Sequence, residues 1–286
     1  MTQVAFATYQ KSPDMEEDDR LVADALRSDG VHVVSAVWDD PLVDWSRFAC
    51  VVIRSTWDYH HKPKQYEEWL RSRAAEGTRL WNPANVILAN MNKRYLNVLA
   101  DCGIDVIPSE YLQAGISCQL REVLERRGWD EAVVKPAVSA GAHGTWRTSL
   151  ANADVDQGRF EEQCRSCDVL VQPYIEEITS QGEWSLVFFD HRFSHAVLKR
   201  PAQGDFRVQQ HLGGNHASAL PPAELVAQAR DALSRVESPL LYARVDGVVR
   251  SGLFLLMELE INEPYLFLGT SPEAPLRFAK AIKAVL

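Results

Sequence analysis

The chain has 286 residues, 46% of them hydrophobic, enough for a large core and for two or three lobes rather than one. A formal net charge of −9 and a sequence pI near 5.4 exclude a nucleic-acid backbone as the main ligand, which needs a basic face. No basic leader precedes an apolar run and no segment reaches membrane-spanning length, so a cytoplasmic protein without a membrane partner is expected.

Alternation over residues 3–8 predicts a short strand, followed by a helix over 16–28 with an acidic start and a stop at Gly30, and a second strand over 31–38. Cys50-Val51-Val52-Ile53 is a continuous apolar run of the kind that forms buried parallel strands. It ends in Arg54-Ser55-Thr56-Trp57-Asp58, either a ligand loop at the carboxyl end of a strand or a capped turn before a helix over 64–75. His60-His61 reads as a polar loop. Asn82-Pro83 marks a boundary near residues 85–92, and a helix over 93–101 leads through Gly103 to an extended connection over 104–108.

After a helix over 117–127, the strand 132–136 delivers Lys135, and the small-residue loop Ser139-Ala140-Gly141-Ala142-His143-Gly144 follows. Backbone N–H groups in such a loop can approach phosphate oxygens, although a flexible turn reads the same way. Cys164 and Cys167 form a lone CxxC with no second pair at zinc spacing, and the five cysteines fit reduced thiols. A buried strand over 169–175 stops near Pro173, and residues 183–189 and 192–199 form a hairpin. The loop 200–207 then gathers cations in an otherwise acidic protein.

Near the C-terminus a strand over 240–245 precedes Asp246, and an apolar strand over 253–257 runs into Glu258-Leu259-Glu260-Ile261-Asn262-Glu263. Alternation puts Glu258, Glu260 and Asn262 on one face, with Glu263 on the other and outside the ligand set. Adjacent carboxylates repel, and a hard cation such as Mg2+ relieves that repulsion. Asp246 joins the row if a hairpin spans 246–252. Two registers, Glu258 with Glu260 or Glu260 with Asn262, remain open.

In their order along the chain these pieces resemble the ATP-grasp superfamily. Trp38-Asp39-Asp40-Pro41, Asp44-Trp45 and Arg54-Ser55-Thr56-Trp57-Asp58-Tyr59-His60 are similar to the small group that includes the O-ureido-serine cyclo-ligase of D-cycloserine biosynthesis. The resemblance implies an α/β ATP-grasp fold, with an N-terminal parallel α/β domain (1–90), a central ATP-binding lobe (91–178) and a C-terminal ATP and metal lobe (179–286). It implies ATP and Mg2+ as cofactors and a small amino-acid-like substrate, and leaves a homo-oligomer open. Lys93 and Lys135 would grip phosphates under the loop carrying Ser139, Gly141 and Gly144. Gln172, Tyr174 and Ile175 would form the adenine hinge, with Glu176 or Glu177 reaching the ribose and Glu183 counted among the nucleotide residues. Arg207, Lys199 and Arg244 would act on the transferred phosphoryl, and Asp246, Glu258, Glu260 and Asn262 would hold metal. Arg54, Ser55, Thr56 and Asp58, with Gly213 and Gly214, would hold the substrate.

The implied activity is amide formation through an acyl phosphate, with cyclisation of O-ureido-D-serine to D-cycloserine as the specific expectation. An intermolecular ligase of the glutathione-synthetase type and a nucleotide-binding module without ligation are the alternatives. A dinucleotide oxidoreductase is excluded because no G-x-G-x-x-G follows the first strand, and no P-loop motif is present.

Overall fold

The structure is a computed structural model that describes residues 2–286. Apolar runs and amphipathic helices alternate through the first part of the chain: β1 (Thr2–Thr8), α1 (Glu17–Ser28), β2 (Val31–Val37), β3 (Cys50–Ser55), α2 (Pro63–Ala75) and β4 (Leu80–Trp81). The strands pair in the order β2-β1-β3-β4, all parallel. Parallel strands buried on both faces need apolar side chains at successive positions, which explains why Val4 to Ala7 and Cys50 to Ile53 are fully buried.

Two short helices follow, α3 (Ala84–Asn90) and α4 (Tyr95–Asp101). The helix expected from residue 93 therefore starts two residues later, because Lys93 lies in the preceding turn and donates its backbone N–H to Ala137 O at 2.9 Å. The central lobe holds β5 (Glu110–Leu112), α5 (Leu120–Arg127), β6 (Glu131–Pro136), β7 (Trp146–Ser149), α6 (Ala153–Ser166) and β8 (Val169–Pro173). Its sheet runs β5-β8-β6-β7 and is antiparallel. Helix α5 begins at Leu120 rather than 117, where Gln157 Oε1 accepts the Leu120 N–H at 2.8 Å.

The C-terminal lobe begins with the single turn α7 (Glu177–Ser180) and continues through β9 (Glu183–Phe189), β10 (Arg192–Arg200), β11 (Asn215–Ser218), α8 (Ala223–Ser234), β12 (Tyr242–Arg250), β13 (Leu253–Glu260) and α9 (Ala274–Ala284). The antiparallel order is β11-β10-β9-β12-β13. β12 does not end before Asp246 but runs on to Arg250, with the turn confined to Ser251 and Gly252. Gly247 sits inside this strand because a Cβ there would lie 2.5 Å from Leu255 O and from the Phe254 ring. It permits a close approach beside a bulge between Asp246 and Gly247.

The hydrophobic clusters divide the chain differently from the expected boundaries. Leu96 and Leu99 pack under the five-stranded sheet with Leu186, Val245 and Leu259, not within the lobe expected to begin at 91. Phe278 and Ile282 of α9 share one cluster with Val4, Phe6 and Val22 of the N-terminal sheet and helix. Among the described residues no helix is long and apolar enough to cross a membrane.

Candidate active site

Side chains from the central and C-terminal sheets and from the loops that follow β1 and β3 converge on one cavity of about 1200 Å³. The strand periodicity explains its floor. Arg244 and Asp246 are two apart on β12 and so share a face, as do Glu258 and Glu260 on β13, and the register sets Asp246 opposite Glu258 and Arg244 opposite Glu260. On β9 Ser185 pairs with Asp246, and Glu183 pairs with Lys199 of β10.

Charges alternate across this floor. Lys199 Nζ lies 2.5 Å from Glu183 Oε1 and 3.2 Å from Asp246 Oδ2. Arg244 donates Nη2 to Asp246 Oδ2 at 2.8 Å and also to Glu260, while its Nη1 reaches Tyr265 O at 2.8 Å. Ser185 Oγ donates to Asp246 Oδ1 at 2.6 Å. Burial opposes ionisation of Asp246, yet Arg244 and Lys199 outweigh it and hold the carboxyl at about 2. Lys93 Nζ sits 3.0 Å from Glu258 Oε1 and donates to Ser139 O at 2.9 Å, tying the glycine loop to the acidic row. Burial likewise works against the Glu258 carboxylate, but Lys93 and Lys135 hold its pKa below the usual range.

Burial, with help from neighbouring Lys93, lowers Lys135 to about 8. Burial raises Glu260 to about 7, and Glu258 and Asp246 beside it add to the shift against Arg244. Glu263 does not lie behind the strand, as alternation implied. β13 ends at Glu260, the chain turns, and Glu263 lines the cavity, where burial and then Glu260 push its carboxyl up to about 8.

Lys93, Lys135, Ser139, Gly141, Gly144, Gln172, Ile175, Glu183, Lys199, Arg207, Arg244, Asp246, Glu258, Glu260, Asn262 and Asp58 all line this cavity. Gln172 spends its amide on a local bond, Nε2 to Ser109 Oγ at 2.8 Å. Arg207 pairs with Asp205 at 2.8 Å, and that hydrogen bond lowers the Asp205 carboxyl to about 2. Asp58 accepts from the Trp38 indole at 2.8 Å and from Lys62 at 2.9 Å.

Several of the expected residues lie elsewhere. Arg54 is 2% exposed and bonds Asp19 at 2.7 Å, Ser55 bonds Thr8 at 2.8 Å, and Thr56 bonds Tyr66 at 3.1 Å. All three point into the interior: β3 extends to Ser55 and carries Arg54 and Ser55 inward, and Thr56, directly after it, is fully buried. Tyr174 lies outside the cavity with the Arg147 guanidinium 3.7 Å over its ring, and Glu177 pairs with Arg250 at 3.3 Å. Gly213 and Gly214 shape the loop behind Gln209 and His211. At Gly214 a Cβ would stand 2.2 Å from Val208 O, so only glycine fits.

Sequence reasoning missed a further set of lining residues, including Tyr9, Glu16, Trp57, His60, His61, His143 and Tyr265. The His60 and His61 rings lie 3.9 Å apart and meet His143 of the glycine loop at 5.3 and 5.1 Å. Burial, then His61 and His143, lowers His60 to about 4.

The family model of the D-cycloserine synthetase DcsG N-terminal domain matches residues 4–82. Cycloserine biosynthesis protein DcsG of Streptomyces lavendulae is 30% identical over 98% of this chain and 97% of its own. The chain belongs to the DcsG family. A crystal structure of D-cycloserine synthetase DcsG matches with a TM-score of 0.90 and 29% identity over 99% of this chain and 100% of that one. The ATP-grasp ligase PsnB, solved with a phosphomimetic variant of its minimal precursor, Mg and ADP, shares the fold at TM-score 0.66 and 16% identity, over 100% of this chain and 99% of that one. Like other DcsG-family proteins this chain has the ATP-grasp fold and is an ATP-dependent ligase, an enzyme that forms carbon–nitrogen bonds.

The donor set suits a hard cation. Asp246, Glu258 and Glu260 present carboxylate oxygens around one hairpin. The buried Asn262 accepts from Tyr66 at 2.7 Å through Oδ1 and leaves Nδ2 without a partner. Because a tyrosine hydroxyl accepts as well as donates, the amide can turn its oxygen to the cavity. Among the described residues the acids are turned to Lys93, Lys199 and Arg244, and no three of them close on one point.

Proposed function

We propose that this ligase activates the carboxylate of O-ureido-D-serine with ATP and closes it onto a nitrogen of the same molecule, giving D-cycloserine. The reading is supported above all by the meeting of Lys93, Lys135, Lys199, Arg207 and Arg244 with Asp246, Glu258 and Glu260 in one cavity between lobes. Cations and acids in such number serve phosphoryl transfer, which needs positioning and charge neutralisation more than covalent help.

Lys93 and Lys135 would grip the nucleotide phosphates, and Gln172 and Ile175 would border the base. Asp246, Glu260 and Asn262, with Glu258, would hold Mg2+, which when bound supplies positive charge to the phosphate oxygens. Arg207, Lys199 and Arg244 aim their charge at oxygens on which negative charge grows as the phosphoryl moves to the substrate carboxylate. The loop Ser139 to Gly144 keeps water from the acyl phosphate, whose hydrolysis would waste ATP. The oxygen-bound nitrogen then attacks the acyl carbon, phosphate leaves, and ring closure gains from intramolecular proximity. D-cycloserine carries no carbamoyl group, so one water removes it as carbon dioxide and ammonia.

The test is ADP release with Mg2+ across O-ureido-D-serine, its enantiomer, amino acids and dipeptides, with products identified by mass. D-cycloserine formed in step with ADP from O-ureido-D-serine supports the reading. ADP release that needs two separate amino acids, with none from O-ureidoserine, overturns it in favour of an intermolecular ligase.

A further inference from the structure

We propose that Glu263 receives the ammonium group of the substrate and thereby selects α-amino acids over carboxylates that lack the amine. The inference rests on the reading of this cavity as an amino-acid-activating site. The acids deep in the cavity are otherwise paired: Glu183 and Asp246 with Lys199, Glu258 with Lys93, and Glu260 with Arg244. Glu263 lines the same cavity, and among the described residues its carboxylate has no ion pair and is met only by its own backbone N–H.

A secluded carboxylate with no counter-charge is costly, and the protein offers it only further acids, Glu260 and Glu258, with Lys93 already engaged. A cation brought by the ligand would offset that cost. The position also fits. The substrate's ammonium sits on the carbon next to the carboxylate under activation, so its partner must stand beside the groups that handle the phosphoryl. Glu263 is three residues beyond Glu260, whereas Glu16 and Glu17, which also line the cavity, stand at the start of α1, where the charge of Glu16 acts on Tyr9. The backbone at Glu263 is fixed by the Trp57 indole, which donates to its carbonyl at 3.0 Å. Trp57 faces Tyr265 at 6.4 Å between ring centroids and Tyr9 at 5.9 Å, giving an aromatic wall suited to a cation.

The experiment compares O-ureido-D-serine with its deamino analogue, 3-(ureidooxy)propanoate, in the parent enzyme, Glu263→Gln and Glu263→Asp. Glu263→Gln keeps the shape and breaks no ion pair, so the fold should hold. The expected result is a rise of about 10- to 100-fold in KM for O-ureido-D-serine, the range of a lost charge-assisted hydrogen bond. Turnover of the deamino analogue, KM for ATP and the Mg2+ dependence should be unchanged, and Glu263→Asp should recover part of the preference. An equal loss on both compounds, an altered Mg2+ requirement, or unchanged discrimination each overturns the assignment. If the parent enzyme ignores O-ureidoserine, the same comparison with whichever amino acid drives ADP release, against its deamino analogue, tests Glu263 independently of that substrate.

Discussion

Arg54→Met should damage stability and spare substrate affinity, the reverse of what a substrate ligand would do. Arg54 and Asp19 are each 3% exposed at the side chain and joined at 2.7 Å. The guanidinium also donates to Pro264 O at 3.2 Å and lies 5.3 Å over Tyr242 and 5.6 Å over Phe278. Removing one partner strands the other charge in the interior, at about 3–5 kcal/mol. That is a large share of the ~5–15 kcal/mol that holds a typical domain folded. At ~2–4 °C per kcal/mol for chains of this order, the melting temperature should fall by roughly 6–20 °C. Burial already raises the Asp19 carboxyl despite Arg54 beside it, so the pair is expensive to keep. Asp19→Leu combined with Arg54→Met should therefore regain most of the loss. Thermal melts of the three variants, with KM for the amino-acid substrate in the folded single variant, decide the matter. A single variant that melts with the parent but needs ten times more substrate would refute the reasoning.

The grip on phosphate proposed for Lys135 needs an ammonium, and its pKa in the free protein is about 8, so kcat/KM for ATP should decline as pH rises through that value. Lys135→Arg, charged throughout, should flatten the limb, and an unaltered profile would assign it to another group. Arg207→Ala should lower kcat by about 10²- to 10³-fold with an unchanged melt, since its side chain is 31% exposed and its ion-pair partner is Asp205; near-normal turnover removes it from the mechanism. His143→Ala loses the ring contacts to His60 and His61 that carry the glycine loop to the N-terminal domain, so more ADP should form per product. A product-to-ADP ratio equal to the parent's would show the contact to be idle.

What was legible in the sequence was whatever rests on neighbours along the chain. The apolar runs of β1 and β3, the lysine at the end of β6 and the alternation of Glu258 with Glu260 each carry their own signal, and the cavity-lining position of Lys135 follows from them. Arg54 looked like a ligand because its partner, Asp19, is a distant acid on another element whose burial no local pattern reports. His143 and the His60–His61 pair each look like solvent-facing polar residues until the fold joins them. Glu263 was assigned the wrong face because alternation holds only while the strand lasts, and the strand stops at Glu260. Gly247 reads as a turn signal but lies within β12, where a side chain would strike its neighbour strand.

Helix α9 packs against α1 and lends Phe278 and Ile282 to the core that contains β1. During synthesis the opening strands leave the ribosome with one face bare, and its cover arrives only with distant residues, from Val187 and Phe189 through Tyr242 and Leu266 to Phe278 and Ile282. A fragment ending near residue 90 would carry that exposed apolar face into solution and should clump rather than fold, so the nascent chain must shelter its beginning until its end has arrived.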